Sequence, residues 1–412
     1  MKNLKSIIFS VIGSNAIAAG LGFTVNVLLA RSLSIGEYGS ISYVLSVVII
    51  LYTLTSLGLT NTTVITSNES LATQEIAIGR INELFKYYLI LLIICFFIPV
   101  ATIAVIKSAD FTFITMLVGS ILFNVYRYNT TINQAAGKWN IYNSLNIANN
   151  GTKIVIIGVA LFVAKKFLNS ENVLIVLNSA LIIYYTVVVI ISLRYTRHIA
   201  RIREKLDLAF TRKFLSVLVP LGITDAFIIL HLRYPILFIE STMTQHELGI
   251  FNAASSLAIA FPIITSSMMN VLIRESAKKD DTHLLAIYST QKRIIKYLIP
   301  LIVLMILSSD ILITSVFGKS YQESTPIFQI LIVGFIGGIF FVPLESYFYS
   351  RNPKFIVGLK FLSLVTIIIF SLILVDIYGL VGVAYSSLLS RVTTWIVLIS
   401  FTKFKIGKFQ HE

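Results

Sequence analysis

Twelve long apolar runs dominate this sequence and restrict it to one class of fold. Each is close to the roughly 20 residues that an α-helix needs to cross a hydrocarbon core about 30 Å thick. They lie at about 6–30, 40–62, 84–106, 111–130, 146–164, 172–193, 214–239, 249–273, 294–316, 325–347, 355–376 and 379–401. Because 56% of the 412 residues are apolar and 13% are charged, an ordinary water-soluble protein is excluded. We therefore predict an all-α integral membrane protein with twelve transmembrane helices.

The basic residues are distributed unevenly among the connections between these runs. If the N-terminus is cytoplasmic and the spans alternate, 26 of the 33 Lys and Arg residues fall in cytoplasmic segments. Two fall within spans, and five lie on the opposite side: Arg31, Lys107, Lys165, Lys166 and Lys319. This is the positive-inside pattern, so we expect both termini in the cytoplasm. The net charge of +14 then indicates topology rather than a nucleic-acid-binding surface.

Two segments leave alternatives open. The basic start and Ala16-Ile17-Ala18 are typical of a cleaved signal peptide, but the apolar run continues to Ala30, which favours an uncleaved first span. The 194–213 connection holds seven basic residues, which favours its retention in the cytoplasm, with binding of anionic lipid headgroups as the alternative. The single cysteine, Cys95, excludes an intrachain disulfide and a metal site built from cysteines.

A shift of 210 residues aligns the two halves of the chain. The matches are Glu37-Tyr38-Gly39 with Glu247-Leu248-Gly249, Lys86-Tyr87 with Lys296-Tyr297, and Asn15 with Asp225. The first three spans of each half coincide without gaps. Each half holds six spans, an even number, so both halves enter the membrane in the same sense. We predict two parallel six-helix repeats, with lobes at 1–205 and 206–412 and a site between them near the midplane, as in transporters.

The sequence lacks the common signatures of an enzyme. It contains no Gly-rich phosphate loop, no metalloprotease His-Glu pair and no Gly-x-Ser-x-Gly elbow. Asp280-Asp281, the one adjacent acidic pair, follows two lysines and is typical of a solvated turn. His231 is the only histidine inside a span, so a histidine-ligated metal is not predicted. We expect neither an enzyme nor a metal or other cofactor.

Three charged residues qualify as lying in the interior of a predicted span rather than near its approximate ends: Asp225, Arg233 and Arg391. A charge at mid-span costs about 2.5–3.5 kcal/mol on insertion scales and usually faces a partner or a wet cavity. Asp225 and Arg391 are near the midplane, whereas Arg233 is closer to a span end. On the functional interpretation the two arginines line a cavity and attract an anionic substrate, while Asp225 is a coupling or gating group. The alternative is an interhelical ion pair between Asp225 and either arginine.

Five further positions complete the predicted substrate site. Asn15 and Asn26 share one face of the first span with small residues, for which close helix packing is the alternative. Ser387 lies on a small and polar face of the last span. Arg127 and Lys153, near the cytoplasmic ends of spans four and five, have aromatic neighbours and predict a basic entrance for a diphosphate and sugars. An interfacial belt is the alternative for that pair.

Four segments carry a family resemblance: Ala30-Arg31-x-Leu33-x-x-x-Glu37-Tyr38-Gly39, Glu247-Leu248-Gly249-Ile250-Phe251-Asn252-Ala253-Ala254, Phe317-Gly318-x-x-Tyr321 and Tyr378-Gly379-Leu380-x-Gly382-Val383-Ala384. With the six-plus-six layout, they resemble polysaccharide exporters of the multidrug/oligosaccharidyl-lipid/polysaccharide (MOP) flippase superfamily, in the group of Wzx-type O-antigen flippases. Phe251 stands where that family commonly has Tyr. The resemblance covers essentially the whole chain.

The resemblance implies a flippase for undecaprenyl-diphosphate-linked oligosaccharide, an O-antigen or related surface polysaccharide unit. Such a protein would work in the plasma (inner) membrane by alternating access, with two MATE-like lobes around a central cavity. The resemblance implies no cofactor, with coupling to H⁺, Na⁺ or the membrane potential. The implied partners are membrane lipids and polysaccharide assembly proteins such as a polymerase or chain-length regulator, and no nucleic acid.

Two other functions stay open at this point. A cation-coupled multidrug exporter of the same superfamily would share the fold. A membrane polysaccharide polymerase or ligase is disfavoured, because such enzymes usually hold substrate on a sizeable outer loop and each outer connection here has about ten residues or fewer.

Overall fold

The computed structural model of the chain describes residues 2–67, 74–105, 111–167, 172–202, 204–259 and 296–411, with residues 261, 262, 265, 269 and 272 between the last two ranges. The described part is built from α-helices and short connections. The helices are α1 (Lys2–Ser32), α2 (Ile35–Ser56), α3 (Leu59–Ser67), α4 (Gln74–Val105), α5 (Phe111–Ala135), α6 (Trp139–Phe167), α7 (Val173–Ala200), α8 (Leu208–Thr242), α9 (Gln245–Ala258), α10 (Lys296–Leu307), α11 (Ser309–Val316), α12 (Ser324–Arg351) and α13 (Pro353–His411).

Most of these helices are long and apolar enough to cross a membrane. Among the described residues eight helices qualify as candidate spans, or nine if α10 and α11, which meet at 56°, form one bent span. α13 is interrupted at Gly379 (φ 55°, ψ −134°), at the predicted junction of spans eleven and twelve. The prediction of an all-helical, multi-pass membrane protein is confirmed, while the number twelve stays a prediction. The predicted span at 249–273 lies partly, and Asp280-Asp281 wholly, outside the described residues.

α2 and α9 begin with the same local structure. The Thr244 N–H donates to the Glu247 carboxylate at 2.8 Å, and the Glu247 N–H donates to the Thr244 hydroxyl at 3.3 Å. Ser34 and Glu37 exchange the corresponding bonds at 2.8 and 3.4 Å. Both are capping boxes, which satisfy the free N–H groups of a helix start. Since the two boxes are 210 residues apart, they are the local structural counterpart of the sequence repeat.

The helices form two compact units, which comprise residues 1–32 with 41–226 and residues 33–40 with 227–412. The division falls within α8, after Ala226, which is 21 residues beyond the predicted boundary at 205/206 that precedes α8. In the first unit α1 packs on α6, and α5 packs on α7 and α3. In the second, α12 packs on α13 and α9. The two units therefore each contain their own helix-packing core.

Polar side chains join helices inside the first unit. Asn129 donates to the Ser192 hydroxyl at 3.0 Å, and Asn133 donates to the Thr196 hydroxyl at 2.8 Å, which ties α5 to α7. In a membrane, where helices gain little from hydrophobic burial against each other, such bonds and close packing hold helices together. These hydrogen bonds explain why polar side chains are buried within spans that are otherwise apolar.

Aromatic packing joins α12 to α13 in the second unit. Phe355 stacks on Phe401 with ring centroids 4.0 Å apart, and Phe341 stacks on Trp395 at 4.8 Å. Gly337 makes room for this contact, because a Cβ atom there would lie 2.7 Å from the Trp395 ring. The packing fixes Trp395 beside a cavity of the same unit.

Candidate substrate cavity

The second unit contains a cavity of about 290 Å³ between α8, α12 and α13. Small-molecule sites usually measure about 300–1,000 Å³ and combine apolar walls with a few polar groups. The polar wall includes His231, Thr265, Glu345, Lys360, Ser363, Arg391 and Thr394. The aromatic wall is formed by Phe227, Phe335, Tyr349 and Trp395. A cavity with this lining suits a ligand that has both apolar faces and charged or hydroxyl groups.

An ion pair spans the cavity wall. The Lys360 ammonium of α13 lies 2.8 Å from the Glu345 carboxylate of α12, and both side chains are mostly buried, with 19% and 16% of their surface exposed. At this burial each charge depends on its partner, because water no longer solvates it fully. From the sequence, Lys360 counts among the basic residues of the cytoplasmic segment 351–360, and the pair is not predicted. The sequence does contain a signal for this pair. Glu345 and Lys360 are about equally far from the turn at Asn352, so a helical hairpin places both at the same depth in the membrane.

Arg391 is the predicted site residue that the structure places in the cavity. Its guanidinium carbon lies 4.3 Å from the centre of the Phe335 ring, a cation–π contact. Gly334 accommodates the side chain, since a Cβ atom there would lie 3.1 Å from Arg391 Cδ. Within the described part of the chain no carboxylate forms a salt bridge with Arg391. Its guanidinium nitrogens therefore have no ion-pair partner among the described residues that an anionic ligand would need to displace.

His231 connects α8 to α13 at the cavity wall. Its Nδ1 lies 3.1 Å from the Ser363 hydroxyl and 3.2 Å from the Ser363 carbonyl oxygen, and the side chain is buried. Since the carbonyl is an acceptor only, Nδ1 donates to it when protonated. No group of three or more metal-binding side chains occurs among the described residues. The contacts with Ser363 give His231 a role in joining α8 to α13 that was not predicted from the sequence.

The remaining predicted residues lie elsewhere. Arg233 is half-buried on α8 and does not line the cavity, and Ser387 is buried in α13, where its carbonyl oxygen accepts from Ser390 at 3.0 Å. Asp225 is half-buried in the first unit and accepts a hydrogen bond from the Asn61 side chain at 3.0 Å. This contact identifies Asn61 as a residue that the sequence analysis missed.

The basic and amide residues of the first unit have local partners. Lys153 on α6 lies over the Tyr184 ring at 5.9 Å, and Arg127 on α5 donates to the Tyr52 hydroxyl at 3.4 Å. Asn15 and Asn26 are half-buried on α1. The structure thus places one of the predicted binding residues in the cavity of the second unit, while these four belong to the first unit.

The comparison with protein families shows which family the chain belongs to. Residues 4–273 match the family described as polysaccharide biosynthesis protein. The chain belongs to this family. The capsular polysaccharide biosynthesis protein CapF of Staphylococcus aureus is 26% identical over 224 residues, which are 52% of each chain. The match therefore spans about half the length of this curated relative.

Solved transporter structures share the fold of this polysaccharide biosynthesis family member. The lipid II flippase MurJ in an inward closed conformation superimposes with a TM-score of 0.71 at 14% identity, covering 95% of this chain and 86% of MurJ. An inward-facing multidrug resistance MATE family transporter of the MOP superfamily has a TM-score of 0.71 at 13% identity, covering 97% and 96%. The predicted resemblance to polysaccharide proteins is confirmed by the family match, and the chain has the predicted fold, which it shares with these transporter structures.

Proposed function

We propose that this polysaccharide biosynthesis family member is a flippase for a lipid-linked oligosaccharide. The cargo is an O-antigen or related surface polysaccharide unit on undecaprenyl diphosphate, moved across the plasma (inner) membrane by alternating access. The family match supports a glycan cargo, and the names of CapF and MurJ describe proteins of glycan pathways. The observation that carries the proposal is the charge of the cavity in the second unit.

The cavity has more formal positive than negative charge among the described residues. Lys360 and Arg391 face it together with one carboxylate, that of Glu345. Charge complementarity favours an anionic ligand and opposes a cationic one, because like charges at close distance cost several kcal/mol. The same cavity would be a poor site for the lipophilic cations that many drug exporters carry. This observation favours the flippase over the multidrug exporter.

The aromatic wall suits the rest of such a cargo. Sugar rings present C–H faces that pack on aromatic rings, while their hydroxyl groups bond to polar side chains. Trp395 and Phe335 supply the rings, and the ion pair of Glu345 with Lys360 supplies donors and acceptors. The isoprenoid tail requires no cavity, since it is soluble in lipid.

The other predicted residues keep defined roles in this proposal. Arg391 binds the anionic part of the cargo, and Asp225 couples or gates the transport cycle through H⁺, Na⁺ or the membrane potential. The further contacts with the cargo are Asn15, Asn26, Arg127, Lys153, Arg233 and Ser387. Both termini are cytoplasmic by the positive-inside rule. A polymerase or chain-length regulator would receive the translocated unit.

A complementation assay tests the proposal. In the chain's own host with its gene deleted, we expect the wild-type chain and Lys319→Gln to restore surface glycan, and Arg391→Gln to restore about tenfold less or none. Lys319 is an exposed matched control, because its loss removes the same charge from a residue outside the cavity. Immunoblots check equal protein amounts. If Arg391→Gln displays glycan at the wild-type level, the role of the cavity is wrong.

A second readout separates the two transporter functions. The same strains are exposed to cationic dyes, for which we expect equal sensitivity with and without the chain. A deletion that sensitises cells to dyes but leaves surface glycan intact would identify an exporter instead.

A further inference from the structure

The end of α7 carries three arginines that the proposed function does not use. Arg194, Arg197 and Arg201, the last of which follows the helix directly, are all exposed. At 3.6 residues per turn they lie within about 60° of one another around the helix axis, so they share one face. On the opposite face, Ser192 and Thr196 are buried and accept hydrogen bonds from α5. The three guanidinium groups therefore project away from the helices of the first unit.

The same face of α7 is apolar before it reaches the arginines. Its exposed apolar side chains are Ile175, Ile183, Ile190 and Leu193. The hydroxyl groups of Ser179 and Thr186 on this face donate to carbonyl oxygens of the preceding helix turn. From Ile175 to Leu193 the face is about 27 Å long at 1.5 Å per residue, close to the roughly 30 Å of a hydrocarbon core. An exposed apolar face of this length suits contact with acyl chains.

The change from apolar to basic side chains sets the depth of the arginines. It falls between Leu193 and Arg194, and Arg201 lies about 10 Å farther along the axis. The headgroup layer of one leaflet is about 5–8 Å thick. Arg194 and Arg197 therefore lie at the level of the headgroups, and Arg201 lies at their aqueous edge. Because they continue the face that suits acyl chains, they are beside lipid phosphates rather than in an aqueous loop.

Contacts with α4 hold this end of α7 in place. The Asn82 side chain donates to the carbonyl oxygens of Ile199 and Ile202 at 3.0 and 2.9 Å, which satisfies carbonyl groups left free at a helix end. The Asp207 carboxylate in the connection that follows lies 3.6 Å from the Arg80 guanidinium. The arginine face is thus part of an ordered surface, and the nearby Asp207 already has a cation beside it.

We propose that the face formed by Arg194, Arg197 and Arg201 binds the phosphate groups of anionic phospholipids in the adjacent leaflet. A guanidinium suits this partner, because its planar N–H groups match two oxygens of a phosphate. The acyl chains of the same lipids lie on the apolar face of α7. Glu204 is exposed in the following connection, but Lys205 beside it keeps the surface positive. Clusters of basic residues at the cytoplasmic end of a span attract anionic lipids.

Two simpler roles of these arginines do not depend on the class of lipid. Cations in the last turn of a helix interact favourably with its dipole, and they retain the following connection in the cytoplasm. A dependence of stability on the lipid headgroup distinguishes the proposed surface from both. The inference goes beyond the proposed function, since a lipid contact outside the cavity requires no transported glycan.

Thermal unfolding of the purified full chain in a neutral detergent tests the surface. The chain is titrated with phosphatidylglycerol, which is anionic, or with phosphatidylcholine of the same acyl chains, which is zwitterionic. For the wild type we expect a larger, saturable rise of the melting temperature with phosphatidylglycerol. This difference should shrink in 0.5 M sodium chloride at about the screening length expected there, a few ångströms. An equal rise with both lipids at low salt would overturn the proposal.

Substitutions assign the response to the arginines. The double variant Arg197→Gln/Arg201→Gln should raise the midpoint concentration of phosphatidylglycerol roughly 25-fold, since each cation near an anionic leaflet contributes about 1 kcal/mol and 1.4 kcal/mol is a factor of ten. Lys138→Gln/Lys319→Gln is the matched control, because it removes two exposed cations from other connections, and it should retain the wild-type midpoint. If the arginine double variant does not fold, each single variant should raise the midpoint about fivefold. Unchanged midpoints in the arginine variants would overturn the proposal.

Water-soluble anions test the other occupants of this surface. Glycerol phosphate carries the same phosphate without acyl chains, and polyglutamate represents an acidic protein partner. We expect neither to reproduce the stabilisation by phosphatidylglycerol at the same concentration of negative charge. An equal response to glycerol phosphate would assign the surface to soluble phosphates, and an equal response to polyglutamate to an acidic protein; both contradict the proposal. Because this assay involves no transport, its failure leaves the glycan display result independent.

Discussion

Gly39 and Gly249 are packed against each other where α2 and α9 begin. A Cβ atom on Gly39 would overlap the Gln245 carbonyl oxygen and lie 2.9 Å from the Gly249 nitrogen. A Cβ atom on Gly249 would overlap the Ile35 carbonyl oxygen. The two glycines are equivalent in the 210-residue repeat, so the repeated sequence makes a contact with its own copy. Only glycine permits backbones to approach this closely.

We therefore expect Gly249→Ala to destabilise the protein. The new methyl group has no room, and the helix starts must separate, at a cost of about 1–3 kcal/mol typical of overpacking. The measurement is the melting temperature of the purified chain in detergent, together with its yield in membranes. Gly39→Ala should behave in the same way, because its methyl group meets the facing backbone.

Gly358→Ala is the matched control for this pair. Gly358 lies in α13, and a Cβ atom there has no neighbour within 4 Å. Since alanine favours a helix over glycine by about 1 kcal/mol, this variant should match or exceed the wild type in stability. If Gly249→Ala and Gly358→Ala melt at the same temperature, the close contact between the starts of α2 and α9 does not contribute to stability.

The helical fold and the repeat could be predicted because their signals are local. An apolar run of sufficient length specifies a span by itself. Glu37 and Glu247 each act on the residue three positions earlier, so the shared pattern reports a shared helix start. The lobe boundary predicted at 205/206 stays a prediction, whereas the compact units of the structure divide after Ala226, a position that depends on which helices touch. Residues 33–40, which comprise the short connection after α1 and the start of α2, group with the second unit.

The candidate site was predicted less completely, since it depends on contacts between helices. Arg391 was found because a charge inside an apolar run is conspicuous in the sequence. Lys360 was placed in a cytoplasmic segment, because its distance from Arg351 along the chain suggested a span end. Its partner Glu345 is on another helix. Asn61 gave no signal at all, since its role rests on the contact with Asp225.

Removing one partner of the Glu345–Lys360 pair should destabilise the chain. Lys360→Met leaves a carboxylate in the cavity wall without its cation, and we expect a loss of up to about 3–5 kcal/mol in unfolding free energy. Glu345→Gln should have a smaller effect, because Lys360 is flexible and can move its ammonium toward water. The double variant should be more stable than Lys360→Met alone. Additive losses in this double-mutant cycle would show that the two charges do not interact.

Asp225→Asn distinguishes a coupling role of Asp225 from a structural one. The Asn61 side chain donates to Asp225, and an asparagine at 225 still offers an acceptor oxygen at the same place. We expect an unchanged melting temperature and about tenfold less surface glycan or none, because the charge alone is lost. Asp225→Ala removes the acceptor as well and should also lower the melting temperature. If cells with Asp225→Asn display as much glycan as the wild type, the role of Asp225 is only to hold α3 through the hydrogen bond from Asn61.

Trp395 allows ligand binding in the cavity to be measured directly. The chain has two tryptophans, Trp139 and Trp395, and Trp395 lies in the cavity wall. In a Trp139→Phe background, fluorescence excited selectively in tryptophan therefore comes from Trp395 and reports on the cavity. We expect glucuronate to quench it saturably and more strongly than glucose, because the positive cavity favours the carboxylate.

Two variants test whether this fluorescence titration depends on the charge of the cavity and on the position of the Trp395 ring. In the same background, Arg391→Gln should reduce the difference between glucuronate and glucose, since it removes the cation that forms no salt bridge with a described carboxylate. Gly337→Ala should displace the ring itself, because the added methyl group would lie 2.7 Å from it, and so change the emission before any ligand is added. If a cationic dye such as ethidium binds more tightly than glucuronate, the cavity selects cations. The charge argument for a glycan cargo would then be wrong, whereas the assignment of the fold would stand, because it does not depend on the cavity.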